Sequence, residues 1–231
     1  MIQDQTQIQP DAGRLEGMIN ALSYGDAAPE GKEPMAIHAQ VAACPWNTDH
    51  LLMRINLKTK EVESDGLPPS NLVFLIDTSG SMDEANKLPL VQRSFALLVE
   101  QLGEDDRVSI LTYAGSSEVV LEGVRGSEQA KLLEAVAGLM AGGGTHGAAG
   151  IETAYALADK YAAPGTNSRV IPATDGDFNI GVHSDSELPR LIEENKQTGA
   201  SPTVLGLGSG NYPDNQLQAL AARAHGHALY L

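Results

Sequence analysis

The sequence predicts an α/β fold, in which a doubly wound, mostly parallel six-stranded sheet carries helices on both faces and follows a small N-terminal helix and β-hairpin. From residue 70 onward, short apolar segments alternate with segments of helical periodicity, as is typical of a parallel sheet covered on both faces. Two of these apolar segments end directly at a carboxylate, Asp77 and Asp175. Before residue 70 the apolar residues show a mixed alternation, which favours antiparallel strands.

The N-terminal third of the chain divides into two segments. Residues 1–34 are largely polar, with Leu15, Met18, Ile19 and Leu22 at the spacing of a short amphipathic helix, followed by a linker rich in Gly and Pro. Residues 35–69 contain two alternating stretches, 36–43 and 51–57, which predict a β-hairpin extension, with Trp46 in its connection predicted to pack as an anchor. A Gly-Leu-Pro-Pro sequence then marks a boundary before the main domain, 70–231.

Within residues 70–231 each element follows from periodicity and from Gly or Pro breaks. The predicted strands, in chain order, are 72–77, 107–113, a short antiparallel 118–121, 170–173, 203–207 and 227–231; the predicted helices are 88–102, 132–140, 148–162, 186–198 and 214–224. Pro172 does not fit a central strand, because proline cannot donate a ladder hydrogen bond. A local disruption of the sheet is therefore expected at Pro172.

Composition excludes several classes of partner. The chain has 30 acidic and 15 basic residues and a net charge of −15, which disfavours binding to nucleic acid or anionic membrane surfaces. Its single cysteine, Cys44, excludes an internal disulfide. No run approaches the roughly 20 apolar residues of a membrane helix, so direct membrane insertion by this chain is not expected.

Oxygen-bearing side chains gather at the predicted strand ends. Asp77, Ser79 and Ser81 follow the first strand of the main domain at alternate positions, and oxygen ligands of this kind suit a hard cation such as Mg²⁺. Magnesium prefers six oxygens, so other loops must contribute. Thr145 in a glycine-rich loop and Asp175 after the fourth strand supply them, provided that the first and fourth strands flank the point where strand order reverses.

These segments resemble a known family. The run Leu75-Ile76-Asp77-Thr78-Ser79-Gly80-Ser81-Met82, with Gly143-Gly144-Thr145 and Ala173-Thr174-Asp175-Gly176, is similar to a von Willebrand factor type A domain with its metal-ion-dependent adhesion site, over about residues 70–231. Residues 10–65, with Cys44-Pro45-Trp46-Asn47, resemble the N-terminal extension of a bacterial subgroup. Two departures are Pro172, where an aliphatic residue is usual, and His146 after the threonine.

The resemblance implies a Rossmann-like domain that is not an enzyme and that binds protein partners through Mg²⁺, with Mn²⁺ or Ca²⁺ as alternatives. Ser79, Ser81 and Thr145 would supply hydroxyls, and Asp77 and Asp175 would bind directly or through water. The open position would take an Asp or Glu of the partner. The resemblance also implies a bacterial cell-envelope location, with a targeting segment before this chain and a further domain after it.

Two other functions stay open at this point. A metal-assisted hydrolase would need a general base near the cation, and His146 and Asp177 are the candidates. The sequence has no Gly-x-Ser-x-Gly and no phosphate-binding Gly-x-x-x-x-Gly-Lys-Ser/Thr loop. A scaffold that has lost its metal would show no gain in thermal stability with magnesium.

Overall fold

The computed structural model describes residues 15–60, 67–143, 148–175, 199–208 and 226–230. The chain divides into two compact units, Met1–Leu67 and Pro68–Leu231. The described elements are α1 (Leu15–Asn20), β1 (Met35–Ala43), β2 (Leu51–Thr59), β3 (Ser70–Asp77), α2 (Leu88–Val99), β4 (Arg107–Tyr113), β5 (Ser117–Arg125), α3 (Gln129–Ala137), α4 (Ala148–Lys160), β6 (Asn167–Thr174), β7 (Ser201–Gly206) and β8 (His227–Tyr230). None of the described helices is both long and apolar enough to cross a membrane.

The first unit contains the predicted short helix and an antiparallel hairpin. β1 and β2 pair in one continuous register from Met35↔Thr59 to Ala43↔Leu51. Asp26, in the segment before the hairpin, accepts two hydrogen bonds at 2.7 Å from the guanidinium of Arg54 on β2. The prediction that Trp46 packs as an anchor is wrong, because Trp46 is 76% exposed. It lies in the connection between two strands that form a sheet of their own, where no described residue buries the indole ring.

The second unit confirms the predicted α/β architecture. Its described strands form one sheet in the order β5-β4-β3-β6-β7-β8, in which only the β4 and β5 pair is antiparallel. Strand order reverses at β3, since the chain adds β4 on one side of it and later β6 on the other. Edge strand β5 is irregular, with register shifts on both sides of its pairing with Ile110.

β3 is the centre of the fold because its side chains contribute to two cores. Leu72, Phe74 and Ile76 pack with residues of α2 and α3, and the Phe74 and Phe95 rings meet edge to face at 5.1 Å between centroids. Val73 and Leu75, which point to the opposite face, pack with residues of α4. A strand buried on both faces needs a continuous apolar run, which is the pattern that the sequence shows.

Pro172 lies in β6, and the pairing of β6 is interrupted with only one of its two neighbouring strands. Pairing between β3 and β6 is continuous through Leu75↔Pro172. Pairing between β6 and β7 passes from Val170↔Pro202 to Ala173↔Leu205 and skips the residues between. The expected disruption is thus confined to the β7 side, and β6 still brings its carboxyl end beside that of β3. The helices predicted at 186–198 and 214–224 lie outside the described residues.

Candidate functional site

The carboxyl end of β3 turns sharply around its terminal aspartate. Asp77 is fully buried, and its Oδ1 accepts a hydrogen bond of 2.8 Å from the backbone N–H of Ser79. A single 3-10 turn over Gly80–Met82 follows and brings Ser81 back toward Ser79, so that their two Oγ atoms lie 3.1 Å apart. Ser79 is buried and Ser81 is exposed. A carboxylate and two hydroxyls are therefore gathered at the rim of the sheet.

Neighbouring strands complete the surroundings of Asp77. The hydroxyls of Tyr113, at the end of β4, and Thr174, at the end of β6, donate to Asp77 Oδ2 at 3.1 and 3.4 Å. Burial raises the pKa of Asp77, the hydrogen bonds from Ser79 and Tyr113 oppose that shift, and the negative charge of Asp175 adds to it. Both carboxylates are nearly inaccessible to solvent and lie at the carboxyl ends of neighbouring strands, β3 and β6, whose pairing runs to Ile76↔Ala173.

Asp175 comes directly after β6, and its two oxygens differ. Its side chain is only 5% exposed, and Oδ2 accepts a bond of 3.1 Å from the ammonium of Lys87. Oδ1 is buried and has no hydrogen-bond partner among the described residues. A buried carboxylate oxygen without a donor is costly, because its lost hydration is not replaced. A cation beside Asp175 would supply what this oxygen lacks, so the residues present fit a metal ion.

The glycine-rich loop reaches the same place through its backbone. The N–H of Gly142 donates to the carbonyl of Thr78 at 2.8 Å, and the N–H of Gly80 donates to the carbonyl of Gly143 at 3.4 Å. Gly143 has φ +87°, which other residue types rarely adopt. Thr145, two positions later, lies outside the described residues, as do His146 and Asp177.

The chemistry of the donors determines which ions the site could hold. Asp77, Ser79, Ser81 and Asp175 offer only oxygen atoms, the donors that Mg²⁺ and other hard cations prefer. Within the described ranges no group of three or more His, Cys, Asp and Glu side chains is placed to hold a metal. A cation at this site would therefore depend on the hydroxyls as well as on the two carboxylates.

Sequence reasoning missed three residues of the site: Thr174, which lies inside the recognised Ala-Thr-Asp-Gly motif, Tyr113 and Lys87. Tyr113 had a signal, because it ends the second strand of the sheet, and strands flanking a switch point end at the same rim. For Lys87 the sequence held only a weak signal, namely a lysine at the N-cap position of α2, where Ser, Thr, Asp or Asn is preferred. Its contact with Asp175, 88 positions along the chain, depends on tertiary structure alone.

Comparison with known proteins agrees with this fold. The family model described as von Willebrand factor type A domain matches residues 71–231, and a second model, described as von Willebrand factor, matches residues 1–54. The uncharacterized protein YfbK of Escherichia coli (strain K12) is 37% identical over 229 residues, which are 96% of this chain and 40% of that protein. The magnesium-chelatase 60 kDa subunit of Cereibacter sphaeroides is 30% identical over 78% of this chain and 34% of its own length. The chain thus spans less than half the length of these two curated relatives.

Solved structures resemble the fold at low sequence identity. The von Willebrand factor type A protein from Catenulispora acidiphila matches with a TM-score of 0.61 at 19% identity, over 86% of this chain and 46% of that one. The manganese-loaded TRAP protein of Plasmodium vivax matches with a TM-score of 0.55 at 17% identity, over 81% of this chain and 67% of that one. Domains of this type commonly mediate protein–protein interactions. By sequence and by fold, this chain belongs to the von Willebrand factor type A domain family.

Proposed function

We propose that this chain binds a protein partner through a divalent cation, Mg²⁺ in the first place, held by Asp77, Ser79, Ser81, Thr145 and Asp175. The observation that carries the proposal is the buried Oδ1 of Asp175, which has no donor among the described residues and belongs to the strand end next to that of Asp77. Two buried carboxylates in one region repel each other, and a bound cation would relieve both the repulsion and the missing contact.

The proposed partner presents an Asp or Glu side chain. Ligation in which hydroxyls and water accompany the carboxylates leaves a divalent cation under-neutralised, so an incoming carboxylate gains a strong local attraction. The net charge of −15 opposes this attraction only weakly, because salt screens the field of the acidic surface beyond ~8–10 Å. Short-range attraction to the cation therefore outweighs the general repulsion of an acidic partner.

The names of two related proteins support the use of a divalent metal. The TRAP structure is described as manganese-loaded, and the Cereibacter sphaeroides relative is a subunit of a magnesium chelatase. The second name also connects a relative with an enzyme. The hydrolase alternative needs a general base beside the cation, and its candidates His146 and Asp177, like Thr145, lie outside the described ranges. We retain an interaction domain as the proposal because domains of this family commonly mediate protein–protein interactions.

A capture experiment with and without Mg²⁺ tests this function. The immobilised wild-type chain should retain a partner in Mg²⁺ and release it in EDTA. The Asp77→Ala variant should not capture the partner in either condition. Asp105→Ala is the matched control: Asp105 is exposed and precedes β4, at the opposite end of the sheet, so capture should be unchanged. Mg²⁺ at a hundredfold excess over its Kd should also stabilise the wild type by about 2.7 kcal/mol. Affinity that survives excess EDTA would refute the proposal.

A further inference from the structure

We infer that Lys87 is a counter-ion of the site: its ammonium pairs with the Asp175 carboxylate when no metal is bound, and this ion pair must break before a divalent cation can bind Asp175. Lys87 thereby weakens metal binding and stabilises the metal-free fold. This inference rests on the proposed function, because it concerns the same site. It assigns a role to a residue that supplies no ligand to the metal.

Lys87 is held at the site by three oxygen atoms. Its Nζ donates to Asp175 Oδ2 at 3.1 Å, to the backbone carbonyl of Ser81 at 2.9 Å and to Glu84 Oε1 at 2.9 Å. An ammonium has three donors, so these contacts use its full capacity. One acceptor belongs to a proposed ligand residue on each side of the site, Ser81 and Asp175. The Lys87 ammonium thus spans the two segments that a metal would join.

The aliphatic part of Lys87 is also fitted to its surroundings. Its side chain is only 14% exposed, which is unusual for a lysine. Gly208, just after β7, has φ +97°, and a Cβ built there would lie 3.1 Å from Lys87 Cε. The backbone at Gly208 therefore passes close to the lysine stem, where a side chain would crowd it. Contacts along the stem and at the ammonium fix Lys87 in one place.

The positive charge of Lys87 should have opposite effects on metal-free stability and on metal affinity. Without a metal, Asp77 and Asp175 are buried carboxylates at the ends of neighbouring strands, and among the described residues Lys87 is a cation in direct contact with Asp175. Removing one partner of a buried ion pair leaves the other charge uncompensated, which destabilises the fold. For an incoming Mg²⁺ the same ammonium is a competitor, because it holds Asp175 Oδ2 and adds a positive charge nearby. Lys87 accordingly lowers metal affinity while it raises metal-free stability.

Mg²⁺ titration of neutral variants tests the inference. Lys87→Met should melt at a lower temperature than the wild type in EDTA, and calorimetry should show its Kd for Mg²⁺ to be about tenfold tighter, which corresponds to the removal of about 1.4 kcal/mol of competition and charge repulsion. At saturating Mg²⁺ the difference in melting temperature should shrink. Lys87→Gln, which keeps a polar group for the Ser81 carbonyl, should change in the same direction and decides the matter if Lys87→Met does not fold.

Two lysine variants serve as controls. Lys87→Arg keeps the positive charge and should bind Mg²⁺ about as weakly as the wild type. Lys131→Met removes the exposed ion pair between Lys131 on α3 and Glu128, the residue before that helix. This pair follows β5 at the opposite end of the sheet, so the substitution should change neither Kd nor the response to Mg²⁺.

The outcomes separate this inference from the proposed function. Equal or weaker Mg²⁺ binding in both neutral variants, with a responsive wild type, would overturn the role of Lys87 and leave the metal site standing. A wild type without any Mg²⁺ response, together with neutral variants that gain one, would support the role of Lys87 and overturn metal-dependent binding by the natural chain. No response in any variant would overturn both.

Discussion

Tyr113 and Asp77 lie opposite each other at the carboxyl ends of neighbouring parallel strands, and the Tyr113 hydroxyl donates to Asp77 Oδ2 at 3.1 Å. This hydrogen bond stabilises the buried negative charge of Asp77. Tyr113→Phe should therefore lower the free energy of unfolding by about 2 kcal/mol in EDTA, as expected for a hydrogen bond to a charged group. Urea unfolding should show a smaller loss in saturating Mg²⁺, because the cation then compensates Asp77. An equal loss in both conditions would argue against a cation next to Asp77.

Tyr155 is the matched comparison for Tyr113. Both side chains are 1% exposed, but the Tyr155 hydroxyl has no hydrogen-bond partner among the described residues. Burial also raises the pKa of Tyr155 to about 12. Tyr155→Phe removes an unsatisfied polar atom and keeps the ring, so the free energy of unfolding should rise by about 1 kcal/mol. A decrease on urea unfolding would mean that the hydroxyl has a partner in the folded protein.

Asp77→Asn should separate stability from metal binding. In EDTA the substitution removes a buried negative charge that Asp175 repels, while the Asn carbonyl can still accept from the N–H of Ser79. The hydroxyls of Tyr113 and Thr174 then meet a neutral amide, and the weaker hydrogen bonds offset the relieved repulsion, so the free energy of unfolding in EDTA should change by no more than about 1 kcal/mol. Stabilisation by Mg²⁺, followed by thermal melting, should be lost. A variant that is less stable in EDTA yet still responds to Mg²⁺ would contradict this assignment of Asp77.

The N-terminal unit should be less stable at acidic pH. Hydrogen bonds from Arg54 and then Asn56 lower the pKa of Asp26 from its usual 3.8. A depressed pKa in the folded state means that the stabilisation is complete above 3.8 and is lost as the pH falls through the folded value. Hydrogen exchange of the β1 and β2 amides should be faster in Asp26→Asn than in the wild type near neutral pH. The difference should vanish at strongly acidic pH, and a constant difference would exclude ionisation of Asp26 as its source.

The fold could be predicted because its main signals are local. The five apolar residues before Asp77 predict a strand buried on both faces, and the alternation after it predicts a parallel sheet. That the strand order reverses at β3 was a condition of the predicted site, which the structure meets. The same rule brings Asp175 to the rim occupied by Asp77. Pro172 was recognised as a misfit, but only the structure shows that the strand tolerates it by losing pairs on one side.

Contacts between side chains that are far apart in the sequence could not be predicted. No periodicity indicates that Lys87 reaches Asp175, because the contact depends on the path of a flexible side chain past Gly208. Trp46 was misjudged for the opposite reason: a large apolar residue usually finds a core, and a two-stranded hairpin connection does not provide one. The role of Thr145 stays a prediction, since that residue lies outside the described ranges.

The irregular β5 also bears on how another protein can attach to this sheet. A straight, uncharged outer strand invites a strand of a second molecule to join it, which leads to aggregation or to recognition by strand addition. β5 pairs with shifts in register on both sides of Ile110 of β4, it carries Glu118 and Glu122, and Gly123 in its C-terminal half has φ +56°. An edge strand of this kind is a poor template for an incoming backbone. The β5 edge is thereby protected against pairing with a strand of a second molecule.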